Sequence, residues 1–533
     1  MKFPITQLFA LSAIGLLTAS CASTALLSPP SAETMPVSPR VRALSEKEVQ
    51  RWGHLDPVQD TVPGMSVERA YSEVVKKRKG QEVVVAVIDS GIDLQHEDLA
   101  SQLWINAREI AGDGLDNDQN GYVDDVHGYN FLGESYHEQW EYTRIVAKKL
   151  GDASLQQKAQ ALLDSQVAEA QAGLTQYEQI EKLVTLAHQN LQKKLGKEFY
   201  TLEDLQRYTP ENEQEAQLVG LLSQVIGMGQ DIPSALEELK AGIAYFKSQM
   251  EYKLNLAFDG RKPVGDNPYD LNDLGYGNGN PGIQDQEESH GTHVAGILGA
   301  NRTNKKGGKG IAKQVKIMSL RAVPDGDEYD KDIALAIRYA VDQGAKVINA
   351  SFGKKLSPNA SWVYEALAYA AAKDVLFVHA AGNDGVDLDN PENSNFPNDQ
   401  YSNLDNYISV GALTAGYGPN MVASFSNYGK KGVDIFAPGD AIYSTLPLSN
   451  YGLESGTSMA APAVAGLAAV IRSLYPQLTA AQVKHIILDS GLSVPVNVLV
   501  GDQEFSLSDL CVSGKIANLY TALLLAEKIA AGN

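Results

Sequence analysis

The sequence predicts a doubly wound α/β domain, a mostly parallel sheet flanked by helices, with an all-α insertion. Two observations carry this prediction: short runs of β-branched residues recur along the chain, and amphipathic segments separate them. Continuous apolar runs are typical of strands buried on both faces, and strand–helix alternation is typical of parallel sheets. A long stretch rich in Glu, Gln, Lys, Leu and Ala interrupts this alternation and predicts the insertion.

The first strand is predicted at residues 83–88, Val-Val-Val-Ala-Val-Ile, and it leads directly into Asp89. Later apolar runs predict strands at residues 315–320, 346–350, 375–379, 407–410 and 433–436, with helices at 332–343 and 361–373. Ligands of doubly wound sheets bind outside the carboxyl ends of the strands. The residues that end these runs are therefore the first candidates for chemistry.

The insertion is predicted at residues 134–262, where apolar residues recur at three- and four-residue steps. The α/β domain then consists of two segments, residues 61–133 and 263–533. The insertion lies between Asp89 and His290. Because one domain must bring the segments on either side of the insertion together, both ends of the insertion are expected near the same region of that domain. We expect the insertion to gate access to that region or to bind a protein partner; the alternative is a peripheral decoration.

The N-terminus predicts export. Residues 1–20 combine Lys2 with an apolar run at residues 8–17 that is too short to span a bilayer stably. Small residues then lead into Cys21, which resembles the bacterial lipoprotein signal, in which this cysteine becomes the lipid-modified first residue. Residues 21–60 would form a tether and an N-terminal extension.

Two details of this signal leave alternatives open. Thr18 stands where the lipoprotein motif usually has leucine, so an ordinary secretory signal cleaved nearby is the alternative. Ala22, rather than aspartate, follows Cys21, which favours the outer membrane in a Gram-negative host. If Cys21 carries lipid, Cys511 has no disulfide partner, because the chain has only 2 cysteines.

The composition excludes one class of partner. The formal net charge is −21, and a phosphate backbone would be repelled by it, so nucleic acid is not an expected partner. The hydrophobic share of 44% is ordinary for a globular protein and predicts a sizeable core.

Three motifs follow one another along the chain. The first is Asp-Ser-Gly-Ile-Asp from Asp89, the second is His-Gly-Thr-His-Val-Ala-Gly from His290, and the third is Gly-Thr-Ser-Met-Ala-Ala-Pro around Ser458. In this order the sequence resembles the subtilase family of serine peptidases, which differs in residue order from the chymotrypsin and α/β-hydrolase types. The resemblance implies a subtilisin-like fold and hydrolysis of peptide bonds in extended polypeptide substrates.

The resemblance also implies a role for each residue. Ser458 would be the nucleophile, His290 the base that takes its proton and returns it to the leaving amine, and Asp89 the group that orients the imidazole. The segment Ala-Ala-Gly-Asn-Asp-Gly around Asn383 resembles the oxyanion segment of the family, so Asn383 would stabilise the developing negative oxygen. His293 is expected to be a packed helix residue.

Substrate binding is predicted for three residues. Ser351 and Gly353 follow the strand at residues 346–350 and resemble the segment of the family that pairs with extended substrate. Gly382 belongs to the oxyanion segment. Main-chain pairing of this kind would select unfolded peptide rather than a particular side chain.

A calcium loop is predicted between residues 113 and 125, where oxygen-bearing side chains alternate around Gly121. The pattern matches the first half of an EF-hand, but His127 stands where the closing Glu would be. The predicted ligands are Asp116, Asp118, Asn120, Tyr122 through its carbonyl, and Asp124, with Asp125 as an alternative to Asp124. The competing interpretation is a solvated turn rich in Asp and Asn.

Two other functions compete with a peptidase. A non-enzymatic exported scaffold would be expected to have a decayed catalytic motif, whereas the four predicted catalytic positions are intact. An esterase would be expected to carry Gly-x-Ser-x-Gly and a different residue order, and neither is present.

Overall fold

A single mixed sheet organises the protein. The computed structural model describes residues 40, 42–76, 78–398 and 404–532; the predicted signal and Cys21 lie outside them. Nine strands pair in the order β10-β13-β7-β6-β5-β4-β1-β3-β2, parallel except for β10 with β13. These are β1 Val83–Asp89, β2 Gly128–Asn130, β3 Val315–Arg321, β4 Val347–Ala350, β5 Leu376–Ala380, β6 Tyr407–Leu413, β7 Ile435–Pro438, β10 Leu492–Ser493 and β13 Lys515–Ile516.

Two hairpins lie outside this sheet. They are β8 Ile442–Leu446 with β9 Asn450–Glu454, and β11 Val498–Val500 with β12 Gln503–Phe505. The helices are α1 Glu46–Val49, α2 Val67–Ala70, α3 Glu141–Lys148, α4 Ala153–Leu195, α5 Leu202–Arg207, α6 Glu213–Gly227, α7 Ile232–Ser248, α8 His290–Gly299, α9 Asp330–Asp342, α10 Ala360–Ala372, α11 Thr457–Leu474, α12 Ala480–Ser490 and α13 Leu519–Gly532. The predicted α/β class, with a mostly parallel sheet flanked by helices, is therefore confirmed.

Both faces of the sheet are covered, which explains the continuous apolar run of β1. Val85 and Val87 face a core shared with α8 and α11, whereas Ala86 and Ile88 face a second core shared with α9 and α10. Successive side chains of a strand point to opposite faces, so a strand covered twice has no polar face. α11 is apolar and long enough to cross a membrane, but 89% of it is buried here, so it is a core helix.

Helices α3 to α7 form the insertion. The 43-residue α4 packs along α7 and α6, and a separate apolar cluster around Val184, Leu191 and Leu222 holds their distal part together. This cluster is distinct from the cores of the sheet domain, so the insertion has its own packing.

Buried ions join the insertion to the sheet domain. Glu141 of α3 accepts from Arg144 (2.7 Å) and from the ammonium of Lys354 (2.6 Å), which also pairs with Asp330 (2.9 Å). Burial opposes the charged ammonium, but the Asp330 and Glu141 carboxylates outweigh it and raise the pKa of Lys354. Lys354 directly follows Gly353, so the insertion is anchored beside the predicted substrate segment.

The N-terminal extension packs on the domain. Trp52 is 1% exposed, and its indole N–H donates to the carbonyl oxygens of Asp440 (3.1 Å) and Ala441 (3.2 Å). This contact lies next to the β8–β9 hairpin, which the sequence patterns did not predict.

Candidate active site

Asp89 and His290 form a hydrogen-bonded pair at the carboxyl end of β1. Asp89 is buried, and its Oδ1 accepts from His290 Nδ1 at 2.7 Å and from the N–H of Ser90 at 2.8 Å. The His290 side chain is 38% exposed. With Nδ1 engaged by the carboxylate, Nε2 is the nitrogen available to exchange a proton with a substrate or a hydroxyl.

The start of α8 is fitted closely to β1. A Cβ added to Gly291 would collide with the carbonyl oxygen of Gly91 and lie 3.2 Å from Asp89 Cβ. The hydroxyl of Thr292 accepts from the N–H of Asp93 at 2.9 Å. The glycine after His290 therefore allows the helix to approach closely enough for the imidazole to reach the carboxylate.

Ser458 lies in the first turn of α11 and is held against the end of β4. Its hydroxyl donates to the carbonyl oxygen of Ser351 at 3.2 Å, and the Ser351 hydroxyl donates to the carbonyl oxygen of Ser458 at 2.8 Å. In the β1–β4 register Ile88 pairs with Ala350, so Asp89 and Ser351 occupy neighbouring positions at one edge. The sheet thereby brings the Asp89–His290 pair and Ser458 to the same edge.

Two N–H donors converge beside Ser458. The N–H and hydroxyl of Thr457 donate to Asn383 Oδ1 at 2.8 and 3.0 Å, which fixes the amide and leaves Nδ2 as a donor. A Cβ added to Gly456 would lie 3.4 Å from Asn383 Nδ2 and 3.6 Å from the backbone N of Ser458. The space next to Gly456 is therefore flanked by two N–H donors, as an oxyanion hole requires.

Asn427 supports this arrangement, and the sequence analysis missed it. Its Oδ1 accepts from the N–H groups of Asp384 and Val386, both at 3.1 Å, and its Nδ2 donates to the carbonyl oxygen of Ala381 at 2.9 Å. One side chain thus holds both sides of the loop that carries Asn383. No spacing signal marks Asn427, because it is 44 residues further along the chain.

The two histidines of the second motif differ in their electrostatics. Burial opposes the imidazolium of His290, but the charge and hydrogen bond of Asp89, with a smaller contribution from Glu454, outweigh it and raise its pKa. Burial lowers the pKa of His293, which packs in α8 with Nε2 3.3 Å from the carbonyl oxygen of Gly452. Of these two histidines, only His290 combines a close carboxylate partner with a partly exposed side chain.

The predicted substrate residues lie around Ser458. Ser351 contacts it directly, and Gly353 is exposed two residues further on. Gly382 has φ +100°, which favours glycine, and an added Cβ would collide with Asn427 Nδ2. The structure therefore brings all three predicted residues to the same edge as Asn383.

The predicted calcium loop is held mainly by its own hydrogen bonds. Asp116 accepts from the N–H groups of Asn120 (3.0 Å) and Gly121 (2.8 Å), and Asp124 accepts from those of Gly112 (2.8 Å) and Gly114 (3.1 Å). Tyr122 stacks edge-on against Tyr129 and Tyr339. Asp116 and Asp124 therefore hold turns of the backbone.

A different set of carboxylates comes together. In the described part of the chain, oxygens of Glu109, Asp118 and Asp125 lie within 4.8 Å of one another, and the Glu109 Oε2 atom is buried without a hydrogen-bond partner. Amide groups of Asn106 and Asn120 donate to this cluster at 2.8–3.1 Å. Of the predicted ligands, Asp118 belongs to this cluster and Asn120 touches it.

Known proteins resemble part of the chain. A sequence profile described as the subtilase family matches residues 80–507. A thermophilic serine proteinase of Bacillus sp. (strain AK1) is 38% identical over 236 residues, 44% of this chain and 51% of that protein. Thermitase of Thermoactinomyces vulgaris is 40% identical over 185 residues, 34% of this chain and 61% of its own.

A third relative is larger. A cell wall-associated protease of Bacillus subtilis (strain 168) is 38% identical over 237 residues, which are 44% of this chain and 24% of that protein. The chain therefore spans less than two thirds of the length of each of these three relatives.

Replacing Glu454 should lower the pKa of His290. The Glu454 carboxylate accepts from the Ser289 hydroxyl at 3.1 Å and its charge favours the imidazolium, so Glu454→Gln removes a stabilising charge. NMR titration of the His290 ring proton would report the shift. Glu203→Gln in α5 serves as the matched control and should leave the titration unchanged; an unmoved His290 pKa in Glu454→Gln would contradict the assigned electrostatics.

Proposed function

Because the chain belongs to the subtilase family, we propose that it is a serine endopeptidase that hydrolyses extended polypeptide through an acyl-enzyme on Ser458. The observation that carries the proposal is the meeting of three groups at one sheet edge: the Asp89–His290 pair, the Ser458 hydroxyl, and the two N–H donors beside Gly456. Together they supply a base, a nucleophile and an anion site, which is what acyl transfer needs.

In this mechanism each proton transfer has a donor and an acceptor. The Ser458 hydroxyl turns from the Ser351 carbonyl to His290 Nε2, and its oxygen attacks the substrate carbonyl as Nε2 takes the proton. The C–N bond then breaks, and Nε2 gives that proton to the leaving amine. Nε2 next takes a proton from water as the water oxygen attacks the ester, and it gives that proton to Ser458 Oγ as the acyl–oxygen bond breaks and the acid leaves. Asp89 holds Nδ1–H throughout and stabilises the imidazolium that forms in each half-reaction.

The anion site acts when the carbonyl oxygen becomes negative. Asn383 Nδ2 and the N–H of Ser458 flank the space beside Gly456, and the N-terminus of α11 adds a favourable dipole there. Because Thr457 and Asn427 already hold these donors in place, little reorganisation is needed as charge develops. This arrangement favours the tetrahedral intermediate over the planar substrate.

Replacing Ser458 and Asn383 tests the proposal. Ser458→Ala should abolish both casein hydrolysis and labelling by a fluorophosphonate. Asn383→Ala should keep labelling but lower kcat, by the roughly 10²–10³-fold measured when a subtilisin loses one such donor. The exposed Asn390, in the loop that follows, offers a matched control as Asn390→Ala, with kcat expected unchanged. Labelling of wild type without casein hydrolysis would favour an esterase, and no labelling would favour a scaffold.

We also propose that the protein is exported and anchored to the membrane by lipid on Cys21. The apolar run and small residues before Cys21 support this, and one relative is named for its association with the cell wall. Cys511 is buried and cannot substitute as the acceptor. Radiolabelled palmitate should therefore label wild type and Cys511→Ser but not Cys21→Ser; label retained by Cys21→Ser would refute the anchor.

We propose calcium binding at the cluster of Glu109, Asp118 and Asp125. The guanidinium of Arg108, 2.8 Å from Asp118, offsets the charge of one of the three carboxylates. Two negative charges are left, and the buried Glu109 Oε2 atom has no hydrogen-bond partner, which favours a bound cation. The Asn106 and Asn120 amides, turned by 180°, would present oxygens as further ligands. Asp116 and Asp124 would then shape the loop, while Asp118 remains a ligand as the sequence predicts.

Asp118→Asn should abolish any rise in melting temperature caused by Ca²⁺, because it removes a charged ligand from the cluster. Differential scanning fluorimetry in Ca²⁺ and in EGTA measures the effect. Asp124→Asn is the matched control: it weakens the bonds to Gly112 and Gly114, so it should lower the melting temperature while preserving the calcium response. A full calcium response in Asp118→Asn would exclude this site.

A further inference from the structure

A turn at residues 439–441, directly after β7, supports the backbone that leads to the nucleophile. The N–H of Gly456, two residues before Ser458, donates to the carbonyl oxygen of Gly439 at 2.8 Å. The N–H of Gly439 in turn donates to the carbonyl oxygen of Leu413, the last residue of β6, at 3.0 Å. The turn therefore links the sheet to Gly456, beside which the two N–H donors of the anion site lie.

Ser455 closes the same turn from its other side, and the turn is strained. The Ser455 hydroxyl accepts from the N–H of Ala441 at 2.9 Å and donates to the Asp440 carboxylate at 2.8 Å. Ala441 has φ +50°, a left-handed conformation that a residue with a Cβ keeps only when its surroundings hold it. If the turn were released, Ala441 would relax and shift Ser455 and the Gly456 that follows it.

Trp52 of the N-terminal extension holds the carbonyl groups of this turn. Its indole N–H lies 3.1 Å from the carbonyl oxygen of Asp440 and 3.2 Å from that of Ala441, so two acceptors share one donor. These carbonyl groups belong to the peptide planes on either side of the Ala441 Cα, and a shared donor therefore restricts both of its dihedral angles. The indole is 1% exposed, so water cannot readily replace its N–H.

The extension itself is fixed on the sheet domain. The Trp52 ring belongs to an apolar cluster with Leu413 and Phe436. The carbonyl oxygen of Gly53 accepts from the N–H of Met65 at 2.8 Å, and the Met65 side chain is buried in the core shared by β1, α8 and α11. Because the indole is held on both sides, it can restrain the turn rather than follow its movements.

We propose that Trp52 is a positioning residue of the peptidase, whose indole N–H holds the turn at residues 439–441 in the conformation that directs the Ser458 N–H toward the anion site. The inference rests on the proposed function and deepens it, because it makes the N-terminal extension part of the active enzyme. Loss of the indole N–H should leave substrate binding unchanged and slow the step in which negative charge develops on the carbonyl oxygen.

The test removes the N–H and keeps an aromatic ring. Trp52→Phe leaves a ring in the apolar cluster, and Trp52→benzothienylalanine, made with a noncanonical amino acid, keeps the shape of the indole with sulfur in place of the N–H. Both should lower kcat on a peptide p-nitroanilide roughly 10-fold, the size expected when buried acceptors lose their donor, with KM unchanged. The kcat is expressed per Ser458 labelled by a fluorophosphonate, so misfolded protein does not enter the comparison.

A second substitution separates positioning from packing. Because glycine adopts positive φ freely, Ala441→Gly in the Trp52→Phe background should recover most of the lost kcat, whereas it could not repair a loosened extension. Trp362→Phe is the matched control, since Trp362 packs at the edge of the core shared with α9 and α10, and its kcat should equal that of wild type.

Three results would overturn the inference: an unchanged kcat in both Trp52 variants, a loss confined to KM, or a loss of kcat that Ala441→Gly does not relieve. Each is measured on enzyme that still labels and cleaves. Absence of both labelling and cleavage in wild type would instead refute the proposed function, on which the inference rests.

Discussion

The pairing of β1 with β4 is the constraint on which the rest of the site depends. This register sets Asp89 beside Ser351, and Ser351 is the residue that contacts Ser458, so a shift of one residue would separate acid and nucleophile. Parallel strands end at the same edge, which is why side chains from distant parts of the chain can meet there. The apolar cores on both faces keep this register, because a slip would turn every buried side chain of β1 to the opposite core.

Charge is used differently at three of the buried acidic sites in the described part of the chain. The Asp89 carboxylate is hydrogen-bonded to His290 and helps to raise the pKa of that imidazole. At Glu141 the carboxylate offsets two buried cations and so ties the insertion to the segment after β4. Near Asp118 the carboxylates face one another. Burial and the neighbouring Asp118 charge raise the pKa of Asp125, and they outweigh the hydrogen bonds to Asp125, which would lower it. The protein neutralises the first two groups, whereas Arg108 pairs with Asp118 and offsets the charge of the third group only in part, which favours a further cation there.

Local patterns predicted strands β1 and β3 to β7 and helices α9 and α10, because each of these apolar runs carries enough signal by itself. They did not predict β2 or the β8–β9 hairpin. These patterns predicted less where function depends on loops that contact the site from distant positions in the sequence. Asn427 holds the loop of Asn383 through hydrogen bonds to residues 381–386, and it stands in no motif. The predicted calcium loop shows the same limit, because alternating Asp and Asn residues identify a turn but not its path. The path of the backbone places Asp125 close to Glu109, whereas Asp124 accepts a hydrogen bond from the N–H of Gly112.

The sequence by itself determined the α/β class, the family resemblance and the helical interruption between Asp89 and His290, because apolar period and short motifs are local properties of the chain. The roles of Asp89, His290, Ser458 and Asn383 follow from those motifs and remain predictions until tested. Only the tertiary structure decided how the insertion is anchored at Lys354, and that Asn427 holds the loop that carries Asn383. Those features depend on contacts between segments far apart in the chain, and no spacing along the sequence encodes such distances.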